Sequence, residues 1–299
     1  MPFFLSAPLW LLLNALGLLV APLSLRAELV VGRLLGRFLL ATRLFRHGIA
    51  RENIRRCLPE LGPAQREELL RRNFEHYGIL TLEFLHFFTP IAGHYRRYIA
   101  GKSRLEGLEN WDRARARGKG VLFVSLHMGF WEAVGGYAAL GTGRPVTAVT
   151  KIVKPPWLHR RVTDGRLSLG VGAAFHPGSI PAILRALRRN EAVAFMNDQY
   201  ARPPMGIPIP FFGVEVHTLG AVATIAQRTG AAILPGWGWR DENGVMQVRI
   251  EPALEFGEDL KDPVKVTTAI AARVERWVRA HPEQWLWLHR RFKHVTWTD

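Results

Sequence analysis

The sequence predicts an α/β fold: a mainly parallel central sheet flanked by helices, with an N-terminal membrane-anchoring helix and a helical N-terminal region ahead of it. Three observations carry this. From about residue 119 onward, short apolar runs alternate with amphipathic stretches of about 10–15 residues. The first 25 residues, MPFFLSAPLWLLLNALGLLVAPLSL, contain no charged side chain. Between these regions the chain is charged and carries helical periodicity, with Gly62–Pro63 as a break between two helices.

Residues 1–25 supply about 20 apolar positions, enough to cross a bilayer as a helix, interrupted only by Pro8, Asn14 and Pro22. They lack the basic leader of a cleaved signal peptide, so a membrane anchor or a deeply embedded interfacial helix is expected. Arg26, Arg33, Arg37, Arg43, Arg46 and Arg51 follow at once. Basic residues flanking an anchor stay on the cytoplasmic side, which puts the bulk of the protein there. The stretch AELVVGRLLGRFLLATRLF (27–45) is amphipathic, with Arg26, Arg33 and Arg37 on one side, as in a helix lying in a membrane interface. The expected organisation is therefore an anchor over 1–25, an amphipathic and helical region over 26–100, and an α/β domain over 101–299.

Within that last part, VLFVSL (121–126), PVTAVTK (145–151), AVAFM (192–196), AAILPGW (231–237) and VMQVRIEP (245–252) have the pattern of strands. WEAVGGYAAL (131–140), SIPAILRALRRN (179–190), TLGAVATIAQRTG (218–230) and VTTAIAARVERWVRAH (266–281) have that of helices. The Pro-rich ARPPMGIPIPFFG (201–213) is expected to be an irregular, stiff loop. In such a sheet the ligand site lies at the carboxyl ends of the strands.

Composition narrows the partners. Forty Lys plus Arg stand against 25 Asp plus Glu, a formal charge of +15, which calls for an anionic membrane, nucleic acid, or phosphorylated or acidic substrates. No nucleic-acid motif appears and Arg is spread over nearly every segment, so no nucleic-acid partner is expected. The single Cys57 excludes a disulfide within the chain.

The segment SLHMGFWEA (125–133) ends the first strand on His127 and sets Glu132 five positions later. On a regular helix the two would not share a face. With a turn through Met128–Gly129, Glu132 can fold back and accept from one ring nitrogen, leaving the other as a general base whose nucleophile comes from the substrate. Two unrelated side chains fit the same spacing. A metal site is not expected, because there is no HExxH and no second Cys.

VLFVSLHMGFWE resembles the first motif of the lysophospholipid acyltransferase superfamily, and more specifically the branch of the lipid A biosynthesis lauroyl and myristoyl acyltransferases. NIRRCLPEL (53–61), MNDQY (196–200), IPFFGVEVHTLGAVATIAQRTGAAILPGW (209–237) and PEQWLWLHRRFK (282–293) are similar to further blocks of that branch, in the same order. The resemblance implies transfer of a fatty acyl chain from an acyl carrier protein or coenzyme A thioester to a hydroxyl of a lipid A precursor or related glycolipid, with no cofactor. The alternatives are a mannosylated phosphoinositide, glycerol-phosphate or aminolipid acceptor and, from another class, a non-catalytic basic membrane-surface protein. His127 would be the base and Glu132 its orienting partner, with backbone amides near the turn or a basic side chain stabilising the oxyanion. Arg166 matches the branch's arginine by its position before Gly170, and Asp198 of the Asp198–Gln199 motif would pair with it. Arg160 and Lys151 add charge for phosphate or phosphopantetheine. Phe211 and Phe212, before Gly213, would line an acyl channel. Trp285 and Trp287 are expected to be structural, while His289, Arg290 and Arg291 could reach anionic headgroups. Asn190, His217 and KPPW (154–157) depart from the branch pattern. The implied location is the bacterial inner membrane, with the catalytic part on the cytoplasmic side.

Overall fold

A computed structural model describes residues 3–43, 45–176 and 178–296. Positions 1, 2 and 44, within the segments 1–25 and 27–45 discussed above, lie outside them. The chain opens with α1 (Phe3–Val20), α2 (Leu25–Thr42), α3 (His47–Cys57) and α4 (Pro63–Leu85), then a 3-10 turn at His86–Phe88 and α5 (His94–Gly101). The α/β part runs β1 (Ser103–Glu106), α6 (Leu108–Ala116), β2 (Val121–Ser125), α7 (Trp131–Thr142), β3 (Val146–Lys151), α8 (Pro156–Ser168), β4 (Val171–His176), α9 (Ile180–Arg188) and β5 (Ala192–Met196). It continues with β6 (Gly206–Phe211), β7 (Val214–Leu219), α10 (Ala221–Thr229), β8 (Ala232–Arg240), β9 (Met246–Ile250) and α11 (Pro263–Ala280).

Among the described residues, seven strands form one sheet in the order β1-β9-β8-β2-β5-β3-β4. Every neighbouring pair is parallel except β8 with β9. The period of two in the strand sequences divides the core between two faces. Val121 and Phe123 point to one side with Val146, Val171 and Leu234, while Leu122 and Val124 point to the other with Val193, Phe195 and Ile233. Helix α7 packs on the first face through Ala133, Val134 and Ala138. Helices α9 and α10 pack on the second through Ile183, Leu187, Val222 and Ile225. The chain thus leaves β2 toward one face, through α7, and leaves β5 toward the other, through the β6–β7 hairpin and α10. Adjacent strands whose connections part in this way open a crevice at their carboxyl ends. That crevice lies between β2 and β5.

The N-terminal helices meet backbone to backbone. Gly32 and Gly36 of α2 lie against Gly78 of α4, where a Cβ on Gly78 would overlap the Gly32 carbonyl and one on Gly36 the Phe74 carbonyl. Helix α2 also buries Glu28, which accepts from the Tyr98 hydroxyl at 2.7 Å and is paired with Lys102. Helix α1 leans on the 3-10 turn, where Thr89 Oγ1 donates to Gly17 O at 3.0 Å. Outward, α1 shows Leu9, Trp10, Leu11, Leu12, Leu18 and Leu19, and α2 shows Val30, Val31, Leu34 and Phe38.

Three expectations need correction. Among the described residues no helix is long and apolar enough to cross a membrane, so the anchoring helix is not supported. Helix α1 ends at Val20, and the chain turns at Ala21–Pro22 before α2. Second, part of 201–213 is not irregular: β6 pairs with β7 in a separate hairpin, with Pro208 and Pro210 facing outward. A proline is tolerated there because an isolated hairpin does not need its missing donor. Third, the helix expected from residue 218 starts at Ala221, because Thr218 and Leu219 complete β7.

Candidate active site

Strand β2 ends at Ser125, and the chain turns sharply before α7. Gly129 makes the turn with a φ of +58°, where a side chain would strain the backbone and crowd Met246. Its amide donates to Gln284 O at 3.2 Å, and Met128 forms a bridge with Trp285. This presents His127 at the crevice.

The partner of His127 is Asp198. Nδ1 of His127 lies 2.8 Å from Oδ1 of Asp198, and the His127 backbone amide donates to Oδ2 at 2.9 Å. Trp285 Nε1 donates to the same Oδ2 at 2.9 Å. An anionic carboxylate only accepts, so Nδ1 carries the proton and the lone pair sits on Nε2. Gln199 Nε2 stands 3.3 Å from Nδ1. Burial works against the charged imidazole, but the Asp198 charge and hydrogen bond outweigh it and hold the His127 pKa above its ordinary value. Burial likewise opposes the Asp198 carboxylate, yet His127, its backbone amide and Trp285 bring that pKa down to about 2.

Glu132 is engaged elsewhere. From the first turn of α7 it accepts two bonds from Arg166 of α8, Nε to Oε2 at 2.8 Å and a terminal nitrogen to Oε1 at 2.6 Å. This bidentate pair is the strong geometry for guanidinium and carboxylate. Arg166 also reaches Thr150 Oγ1 at 3.4 Å. The two pairings expected from sequence are therefore exchanged: Asp198 orients His127, and Glu132 holds Arg166. Strand register is the cause. Ser125 of β2 pairs with Met196 of β5, so the residues two further along, His127 and Asp198, come out level and adjacent.

These groups sit at a cavity of about 1060 Å³. One apolar lobe runs beneath α7 along Phe123, Gly135, Ala138, Val146, Ala148 and Val171. Another opens on the opposite face of the sheet along Ile183, Phe195, Leu219 and Ile225. Lys151, Arg202, Arg290 and Lys293 are exposed and line the mouth. Amides of the turn are committed, since His127 N serves Asp198, Met128 N serves Leu126 O and Gly129 N serves Gln284 O. The expected oxyanion donors are amides near the turn or a basic side chain; the amides of His127, Met128 and Gly129 are taken, which favours the side chain.

The other expected residues divide. Lys151 and Gln199 line the cavity, whereas Arg160 is exposed and not among the lining residues. Phe211 and Phe212 are buried outside the lining, stacked among Trp285, Trp287 and Phe292, so they are core rather than channel. Gly213 makes the β6–β7 turn with a φ of +77°. Arg291 is buried instead of facing headgroups; it donates to Gln199 O and, at 2.6 Å, to Thr218 Oγ1, bracing the loop that carries Asp198. Burial brings its pKa down to about 10. Trp285, expected to be structural, also contacts the site's carboxylate. Nothing in the alternation of QWLWLH announces that bond.

Comparison with known proteins bears on the family. The family model for bacterial lipid A biosynthesis acyltransferase matches residues 4–294. The chain is 30% identical to a lipid A biosynthesis palmitoleoyltransferase of Escherichia coli (strain K12), covering 83% of this chain and 79% of that protein. It is 27% identical to a lipid A biosynthesis lauroyltransferase of the same organism, over 95% and 90% of the two chains. A phosphatidylinositol mannoside acyltransferase of Mycobacterium tuberculosis is 29% identical over 79% and 73%. With a match spanning nearly its whole length, this chain belongs to the bacterial lipid A biosynthesis acyltransferase family.

Proposed function

We propose that the protein transfers a fatty acyl chain from an acyl carrier protein or coenzyme A thioester to a hydroxyl of a lipid A precursor, with His127 as general base. One observation carries the reading: an imidazole fixed by a buried carboxylate opens onto a cavity with an apolar lobe on each face of the sheet. Nε2 takes the proton from the acceptor hydroxyl, and the resulting alkoxide attacks the thioester carbonyl carbon. Asp198 stabilises the imidazolium that forms. When the tetrahedral intermediate collapses, the C–S bond breaks, an ester C–O bond remains, and the proton passes from His127 to the departing thiolate. Arg166, held by Glu132, and the basic mouth offer positive charge to the oxyanion or to phosphates of either substrate. Two lobes suit two hydrocarbon-bearing substrates, one chain on the donor and one on the acceptor.

Membrane association fits the outward face of α1 and α2. Apolar side chains flanked by Arg26, Arg33 and Arg37 are what an interfacial helix presents to an anionic leaflet, and no crossing is needed. The proposed place is the cytoplasmic face of the bacterial inner membrane. Because a relative carries the name of a phosphatidylinositol mannoside acyltransferase, that acceptor is the second reading. The test is acyl transfer from lauroyl-acyl carrier protein or lauroyl-coenzyme A, offered separately with a lipid A precursor and with phosphatidylinositol mannoside. A gain of one ester-linked chain on the lipid A precursor is expected. Hydrolysis of the thioester with no acylated glycolipid contradicts the proposal.

A further inference from the structure

We infer that Gly135 sets how far a hydrocarbon chain can enter the lobe beneath α7, and so determines chain-length preference. The inference rests on the acyl-transfer reading only in naming the ligand as an acyl chain. Gly135 lies inside α7, one turn beyond Glu132, and lines the cavity. At about 1.5 Å of rise per residue it stands about 4.5 Å past Glu132 along the helix, and Ala138 stands a similar distance further. Val146, Leu169 and Val171 line the cavity as well and belong to the same core cluster as Ala138. A Cβ built on Gly135 meets no atom within 4 Å, whereas one on the neighbouring Gly136 runs into Leu169. Gly136 is a packing glycine. Gly135 is not, for nothing touches the space it leaves.

A glycine inside a helix lowers its stability, so a position with room and ordinary helical backbone would favour alanine on stability grounds. Here the missing side chain instead leaves open space beside the cavity, one turn from Glu132. A branched side chain would start from that open space and extend into the cavity. Short chains would still fit above it, and longer ones would not.

The test is binding of octanoate and laurate to the full chain and to Gly135→Ala and Gly135→Leu by isothermal titration, with a melting temperature for each. The parent is expected to bind laurate more tightly than octanoate. Each methylene kept out of the lobe is worth a factor of about four, so Gly135→Leu should cut the laurate-to-octanoate preference by about tenfold or more. Gly135→Ala should fall between, and both variants should melt no lower than the parent. A preference unchanged in Gly135→Leu overturns the inference, as does equal loss of both fatty acids or a parent that binds neither. A lowered melting temperature in Gly135→Ala also overturns it, because the space would then not be open. Acyl transfer is a separate readout: if Gly135 moves the preference yet no glycolipid is acylated, the proposed reaction falls and this inference stands.

Discussion

At the residue scale, two carboxylates have opposite duties, and sequence spacing alone pairs them the other way. Asp198 acts on His127, and Glu132 on Arg166. The consequences separate in a pH profile of acyl transfer. His127 serves as base only when neutral, and its pKa lies above the ordinary value, so activity should rise with pH through that raised value to a plateau. Asp198→Asn removes what opposes burial, so the rising limb should move to lower pH while the plateau falls, the imidazolium having lost its counter-charge. Glu132→Gln should move the limb down less than Asp198→Asn does, because the Glu132 charge supports the imidazolium more weakly than Asp198, and should lower the rate by about ten- to a hundredfold through a loosened Arg166. A limb that moves with Glu132→Gln and not with Asp198→Asn would restore the pairing that the spacing suggests. His127 itself was legible in the sequence, from its place at the end of an apolar run. Asp198 as its partner was not, because adjacency of β2 and β5 depends on strand order, which no local pattern encodes.

At the scale of elements, periodicity found what it can find. Strands β2, β3, β5, β8 and β9 and helices α7, α9 and α11 sit close to where the apolar patterns place them. Strand β4, VGAAFH, is short and built largely of small residues, and β6 contains two prolines, so neither carries a strong strand signal. The helix pair α2–α4 depends on glycines whose role shows only once the helices are in contact. Gly36→Leu should therefore unfold or detach the N-terminal helices, seen as a lowered melting temperature and faster amide exchange in α2; unchanged melting would contradict the close crossing. Glu28 gives this region an acid-sensitive tie. Burial opposes its charge, but His86, Lys102 and Tyr98 hold its pKa at about 2 against 4.5 unperturbed. A lowered carboxylate pKa stabilises the folded state fully above the unfolded value and loses that stabilisation as pH falls through the folded one. Unfolding free energy should thus drop by on the order of 3 kcal/mol between about pH 5 and pH 2. In Glu28→Gln that part of the slope should vanish, as checked by denaturant unfolding across the range.

At the scale of the whole molecule, the crevice, the basic mouth and the apolar outer face of α1 and α2 fit the proposed reaction on a membrane lipid. Composition made the positive charge and the apolar N-terminus plain, yet it could not separate a spanning helix from one laid along a surface. Among the described residues, α1 ends after 18 helical residues and packs on the 3-10 turn. Leu11→Glu with Phe38→Glu should weaken binding to vesicles containing anionic lipid, read by co-sedimentation, and leave the melting temperature near the parent's, since both side chains are exposed. The most direct measurement joins surface to chemistry: mass spectrometry of a lipid A precursor, held in such vesicles, after incubation with an acyl thioester and either the parent or His127→Ala. The account predicts one added acyl chain with the parent and a rate lower by about 10²–10⁴-fold with His127→Ala, at equal vesicle binding. A His127→Ala protein that acylates the precursor at the parent's rate would contradict it.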